Sequence, residues 1–179
     1  MLRRNSGVIN TGALVVLLTA SALGEQGTSL LKPGDALPPL GGLTVSGKPF
    51  DLPTAAEGKV AVVIFSFSRS GGRDAQNWAQ HLSKDDPNLP IYTAIFLESV
   101  PRVFRSIAVS RIRNGMPPVM LDSTLLLYQQ QTSWEQRLDV TDEGYACVLV
   151  LDQSGRIRWI SLGPFADSLY LRLRKEVRH

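Results

Sequence analysis

The residues that could do chemistry gather in one short stretch. In VAVVIFSFSRSGGRDAQNWAQHL, Val60 to Leu82, the segment Ser68-Arg69-Ser70-Gly71-Gly72-Arg73 sets hydroxyls, two glycines and two arginines between an apolar run and an amphipathic one. A strand, turn and helix of this layout can hold a reactive Cys-x-x-Cys pair, and this turn has no thiol. The only cysteine, Cys147, lies in another apolar run, ACVLVLD. One cysteine excludes an intramolecular disulfide and a two-thiol couple. Thiol reactivity at neutral pH needs a thiolate favoured by a helix N-terminus or a nearby cation. Cys147 is therefore expected to be a buried, inert core residue; the alternative, a lone thiol forming mixed disulfides, needs an exposed sulfur.

Other chemistries are weighed on the same turn. A serine nucleophile at Ser70 needs an adjacent base, and the chain offers only His81 and the terminal His179, with no orienting group for a triad. Ser70 is expected to cap the following helix. The free N–H groups of that helix start, with Arg69 and Arg73, could bind a small anion, although no phosphate-loop pattern is present. Two histidines and one cysteine without ligand spacing provide no metal site, and no residue pattern calls for a cofactor. Arg102, Arg105, Arg111 and Arg113 fall on one expected helix. They form either a solvated face or a contact for an anionic membrane surface or acidic partner.

These residues need a scaffold, and the hydrophobic pattern predicts one. LTVSGKPFDL, Leu43 to Leu52, reads as a hairpin around Ser46-Gly47-Lys48. Val60 to Phe67 and Leu89 to Leu97 read as central strands covered on both faces. Ala75, Trp78, Ala79 and Leu82 recur at helical spacing, so the element after the glycines is a helix with that face buried. Ser99 is expected to cap a second helix with an inner stripe of Val103, Phe104, Ile107 and Ala108, ending at Asn114-Gly115. VMLDSTLLLY, Val119 to Tyr128, predicts a short strand and a helix start near Asp122 or Ser123, with a further helical piece around Trp134 to Leu138. ACVLVLD and RIRWISL flank Gln153-Ser154-Gly155 as a hairpin, and Ala166 to Val177 closes the chain as a helix. This order predicts an α/β, thioredoxin-like three-layer sandwich, with a mixed central sheet, helices on both faces and an N-terminal β-hairpin.

The 179 residues are 44% hydrophobic with a mean hydropathy of +0.01, which fits one globular domain. Of the formal charge of +3, Arg3 and Arg4 precede the first acidic residue, Glu25. The remainder is near charge balance and gives no electrostatic case for nucleic acid. Arg3-Arg4, the apolar run GALVVLLTASALG and the small residues at Ala20 to Gly24 predict that residues 1–24 are a secretory signal peptide. An uncleaved membrane anchor ranks second and an organellar transit peptide third. Residues 25–40, rich in Pro and Gly, are expected to be a linker and extended lead-in, and 41–179 the domain. The expected location is exported, periplasmic or membrane-associated.

KPGDALPPL, GKPFDL, GKVAVVIFSFS, PPVMLD and VLVLDQSGRIRWI resemble the redoxin group of thioredoxin-like reductases and peroxiredoxins. Laid on that pattern, Ser70 and Arg73 stand where the two cysteines would be, and Ala146 stands near the usual cis-proline. Within the fold, GYACVLVLDQSGRIRWISLGP is similar to the mitochondrial ATP synthase assembly-factor family. The matching residues are Gly144, Tyr145, Leu149, Asp152, Gly155, Arg156, Ile157, Arg158, Trp159 and Gly163, with Trp78 after the first helix start. That resemblance implies a non-catalytic chaperone for the membrane-embedded a subunit of the Fo sector, a protein partner and a mitochondrial inner-membrane location. Two alternatives stay open: an exported thiol oxidoreductase or peroxiredoxin-like protein using Cys147 with an external thiol, and a small-anion-binding module at Ser70 to Arg73.

Overall fold

Strands and helices alternate along the computed structural model, which describes residues 29–178. In chain order they are β1 (Leu40–Thr44), β2 (Pro49–Leu52), β3 (Ala61–Ser66), α1 (Arg69–Asp85), β4 (Ile91–Phe96), α2 (Arg102–Asn114), β5 (Thr124–Leu127), α3 (Gln131–Arg137), β6 (Cys147–Leu151), β7 (Ile157–Leu162) and α4 (Asp167–Arg178). The strands form one mixed sheet in the order β2-β1-β5-β4-β3-β6-β7. β3 lies at its centre, parallel to β4 and antiparallel to β6, and all six of its residues are buried. An unbroken apolar run suits such a strand because both of its faces meet covering layers. The N-terminal hairpin β1–β2 attaches antiparallel to β5, and the fold is the thioredoxin-like sandwich that the element order predicts.

The two faces are covered unequally. The connections β3-α1-β4 and β4-α2-β5 step in the same direction across the sheet, so right-handed crossovers place α1 and α2 on one face. α4 joins them there: Ala75, Trp78, Ala79 and Leu82 of α1 pack with Tyr170 and Leu173 over Val62, Ile64, Val148 and Val150. On the other face, Trp134 and Leu138 cover Val63, Phe65, Leu149 and Cys147. Residues before β1 also lie on that second face. The Leu31 N–H donates to the Arg137 carbonyl at 2.8 Å, and Leu37 is buried in the same core.

Several local expectations require correction. The cap of α1 is Ser68, whose Oγ accepts the Gly71 N–H at 3.1 Å, so Ser70, Gly71 and Gly72 already lie in the first helical turn. Pro101, and not Ser99, precedes α2, with no side-chain cap. The segment from Val119 starts in a 3-10 turn over Pro118–Met120; the strand is Thr124–Leu127, and no helix begins near Asp122. The buried Leu125, Leu126 and Leu127 pair in register with Ala94, Ile95 and Phe96, an attraction stronger than the local start signal. The expected inner stripe of α2 faces solvent: Val103, Phe104 and Ile107 are 76%, 57% and 50% exposed. The half-buried side is instead Val109 and Ile112, which pack on the small cluster of Val45, Leu97 and Leu126.

Candidate functional site

The start of α1 is fastened to the loop before β6. Ser68 Oγ donates to the Glu143 carbonyl at 2.5 Å while accepting from Gly71, and the Ser70 hydroxyl lies 3.0 Å from it. Gly71 is buried against the same loop: a Cβ there would stand 2.7 Å from the Glu143 carbonyl oxygen and 3.0 Å from that of Tyr145. The Gly144 N–H donates to Asp142 Oδ1 at 2.7 Å, and Tyr145 is exposed beside it. Asp74, which sequence reasoning passed over, completes the joint. Its carboxylate accepts the Ala146 N–H at 3.0 Å and the Phe165 N–H at 3.1 Å, so one side chain ties α1 to the strand start and to the β7–α4 loop. A carboxylate in the second turn, directly before the buried Ala75 of the apolar stripe, is the signal that could have found it.

The sulfur next along the chain from this joint is sealed from solvent. Cys147 is buried in β6 opposite Phe65, and burial pushes its thiol far up from the ordinary value. A thiol held protonated is neither a nucleophile nor a good partner for exchange. Exposed Arg69, Ser70 and Arg73 stand at the mouth of α1, but the nearest carboxylate, Asp74, is engaged by the Ala146 and Phe165 amides, and the nearest imidazole, His81, turns its Nδ1 to the Asn77 carbonyl on the same helix.

The resemblance-bearing residues divide by role. Asp152 Oδ1 accepts from Ser154 N, Ser154 Oγ and Arg156 N, and the Ser154 hydroxyl chiefly holds its carboxyl below the usual range. Gly155 closes that turn with φ +74, backed against Pro53. Arg156 donates to the Gly34 carbonyl and Arg158 to that of Glu176. Trp78 of α1 is buried in the core, the half-buried Trp159 of β7 packs against the same cluster, and Gly163 bends the chain out of β7 with φ +117. These contacts shape the scaffold; only Gly144 and Tyr145 among them belong to the loop packed on the α1 start.

A concavity opens beside it. A cleft of about 530 Å³ runs between α1 and α2, floored by Thr93 and Ile95 of β4 and walled by Phe96, Ala108, Ile112, Met116 and Met120. Its volume lies in the range of ligand-binding clefts. Gln76 of α1 donates to the Gly115 carbonyl at 3.0 Å, bridging the helices at the C-terminal end of α2. Arg69, Arg73 and Arg111 line the cleft, and no acidic side chain does. Of the four α2 arginines, Arg105 stacks over Tyr128 with its guanidinium 5.0 Å from the ring centre, and Arg113 donates to the Val45 carbonyl. Arg102 is exposed away from the cleft residues, and the exposed Arg111 stands at the cleft's edge.

The fold is shared with thiol-exchange proteins. A putative thiol:disulfide interchange protein DsbE from Chlorobium tepidum superposes with a TM-score of 0.59 at 13% identity, covering 83% of this chain and 96% of that one. A peroxiredoxin-like protein from Aquifex aeolicus gives 0.54 at 12% identity, over 82% and 88%. BsSco, a member of the Sco family of cytochrome c oxidase assembly proteins, gives 0.53 at 12% identity, over 83% and 98%. At these identities the likeness shows the thioredoxin-like fold alone, and no curated protein matches the sequence. The profile of the ATP10 protein family, however, matches residues 30–179, which takes in nearly all of the described domain, including the α1 joint and the cleft. By that match the chain belongs to the ATP10 protein family, the ATP synthase assembly-factor family to which its β6–β7 sequence points.

Proposed function

We propose that this protein is a non-catalytic assembly factor that binds a protein subunit of a membrane complex, ATP synthase in the first instance. The observation that carries the reading is the family match across residues 30–179. The geometry supports it from the chemical side. Where a redox pair would stand, the α1 start offers Ser70 and Arg73, and the one thiol is sealed inside the sheet. What remains at that end of the molecule is a surface for binding. The same frame in BsSco, a member of a family of cytochrome c oxidase assembly proteins, is compatible with such work.

The a subunit of the Fo sector is the partner proposed, met at a membrane surface by a domain that follows a leader and whose extended lead-in already packs on the core. Among the described residues no helix is long and apolar enough to cross a membrane. The residues read as a leader lie outside the described range, so the compartment, exported and periplasmic or mitochondrial inner membrane, is tested by sequencing the amino terminus of the mature protein. The function is tested by deleting the gene and following ATP synthase assembly on native gels, with co-purification of the tagged protein from membranes. The expected result is loss of the assembled Fo sector and recovery of the a subunit. Normal assembly in the deletion strain would overturn the reading.

A further inference from the structure

The α1/α2 cleft has a chemistry of its own. Its walls are Ile95, Phe96, Ile112, Met116 and Met120, a set rich in side chains that repack around different partners. On α2 the exposed Phe104 and Ile107 stand one turn before the cleft residues Ala108 and Arg111, and Val103 is exposed beside them. A monomer seldom leaves such a patch beside a cavity without using it. α2 runs for 13 residues, about 20 Å at the helical rise, longer than a compact small molecule would need. A groove between two helices, with an apolar ridge along one side, is the shape into which a third helix packs.

Charge narrows the choice of occupant. Arg69, Arg73 and Arg111 border the groove, none has an ion pair among the described residues, and no carboxylate lines it. Three cations beside apolar walls complement a segment that is apolar with an acidic group.

Resting on the assembly-factor reading, we propose that the α1/α2 cleft receives an apolar helical segment of the client subunit, and that the arginines at its rim bind a carboxylate carried by that segment. Apolar side chains of the client fill the space above Thr93 and Ile95, while Phe104 and Ile107 cover its outer side. The carboxylate, held by guanidinium groups, fixes the register of the segment along the groove.

The test uses the full-length chain and a fluorescent Leu/Ala-rich helical peptide with one central Glu, compared with the same peptide carrying Gln, read by anisotropy. The Glu peptide is expected to bind at least about tenfold more tightly, the scale of one charged hydrogen bond. Ala108→Trp, which fills the cleft, should weaken both peptides. The paired exposed substitutions Arg73→Gln and Arg111→Gln should remove the difference between them while leaving the unfolding transition in place. Equal binding of the two peptides overturns the carboxylate contact. Undiminished binding to a cooperatively folded Ala108→Trp variant, or binding of neither peptide, overturns the cleft as the site. Binding to vesicles of phosphatidylglycerol without binding of either peptide overturns it in favour of a lipid surface. In cells the two readings separate. If deletion stops ATP synthase assembly and the Arg73→Gln, Arg111→Gln variant restores it fully, the cleft proposal falls and the assembly role stands. If deletion has no effect, the assembly role falls whatever the peptides do.

Discussion

Cys147 and Gly71 show how single positions set what this molecule can do. With its sulfur buried and its thiol held protonated, Cys147 is expected to resist a water-soluble maleimide in the native protein and to react fully after denaturation. Mass spectrometry before and after urea gives the answer, and rapid native labelling would restore the lone-thiol reading. Gly71→Ala drives a methyl group into two backbone carbonyls, at 2.7 and 3.0 Å, that have little freedom to retreat. A loss of about 1–3 kcal/mol in urea unfolding is expected, the range for overpacking, and an unchanged midpoint would show that the 143–145 loop is not fixed there. The absence of a redox pair was legible in the sequence, because a missing cysteine needs no geometry. The joint around Asp74 was not: its two amide partners, Ala146 and Phe165, stand far along the chain, and local spacing carries no trace of them.

Helices differ in how much their sequence reveals. In α1 the buried set Ala75, Trp78, Ala79 and Leu82 agrees with the apolar spacing, because the helix lies over the centre of the sheet and only one face can be apolar. In α2 the apolar positions outnumber those the sheet beneath can cover, and rotation about the helix axis is decided by Val45, Leu97 and Leu126. Phe104→Ser and Ile107→Ser are therefore expected to change stability by no more than about 0.5 kcal/mol, as exposed positions do. A larger loss in chemical denaturation would mean that the stripe faces inward. α4 carries a pH signature instead. Burial, with the Asp85 carboxylate accepting its hydroxyl at 2.7 Å, raises the Tyr170 phenol to about 12 from 10.0. The fold prefers the neutral phenol, so this contribution is whole below the unfolded value near 10 and is lost as pH rises from there through about 12. Thermal unfolding between pH 9 and 12 should show Tyr170→Phe losing less stability over that interval than the parent protein; parallel curves would remove Tyr170 as the cause.

At the scale of the whole molecule, the sheet is uniform and its covering is not. β3, β4 and β6 form the interior of the strand order, whereas no residue of α2 is fully buried. Native-state hydrogen exchange should find the α2 amides opening well before those of β3 and β6, since local stability follows buried apolar contact. Equal protection of α2 and the central strands would contradict that order. The sandwich itself was legible because long apolar strands and one strongly amphipathic helix leave few alternatives. Which helices share a face was not, since it follows from the direction of two crossovers. That arrangement also gives the molecule a front and a back. Leu31 and Leu37 join the core on the face covered by α3, opposite the arginine-bordered groove. The lead-in from Leu31 to Leu37 is thus seated at the rear, and the groove looks away from it, as an open hand does from the wrist behind it.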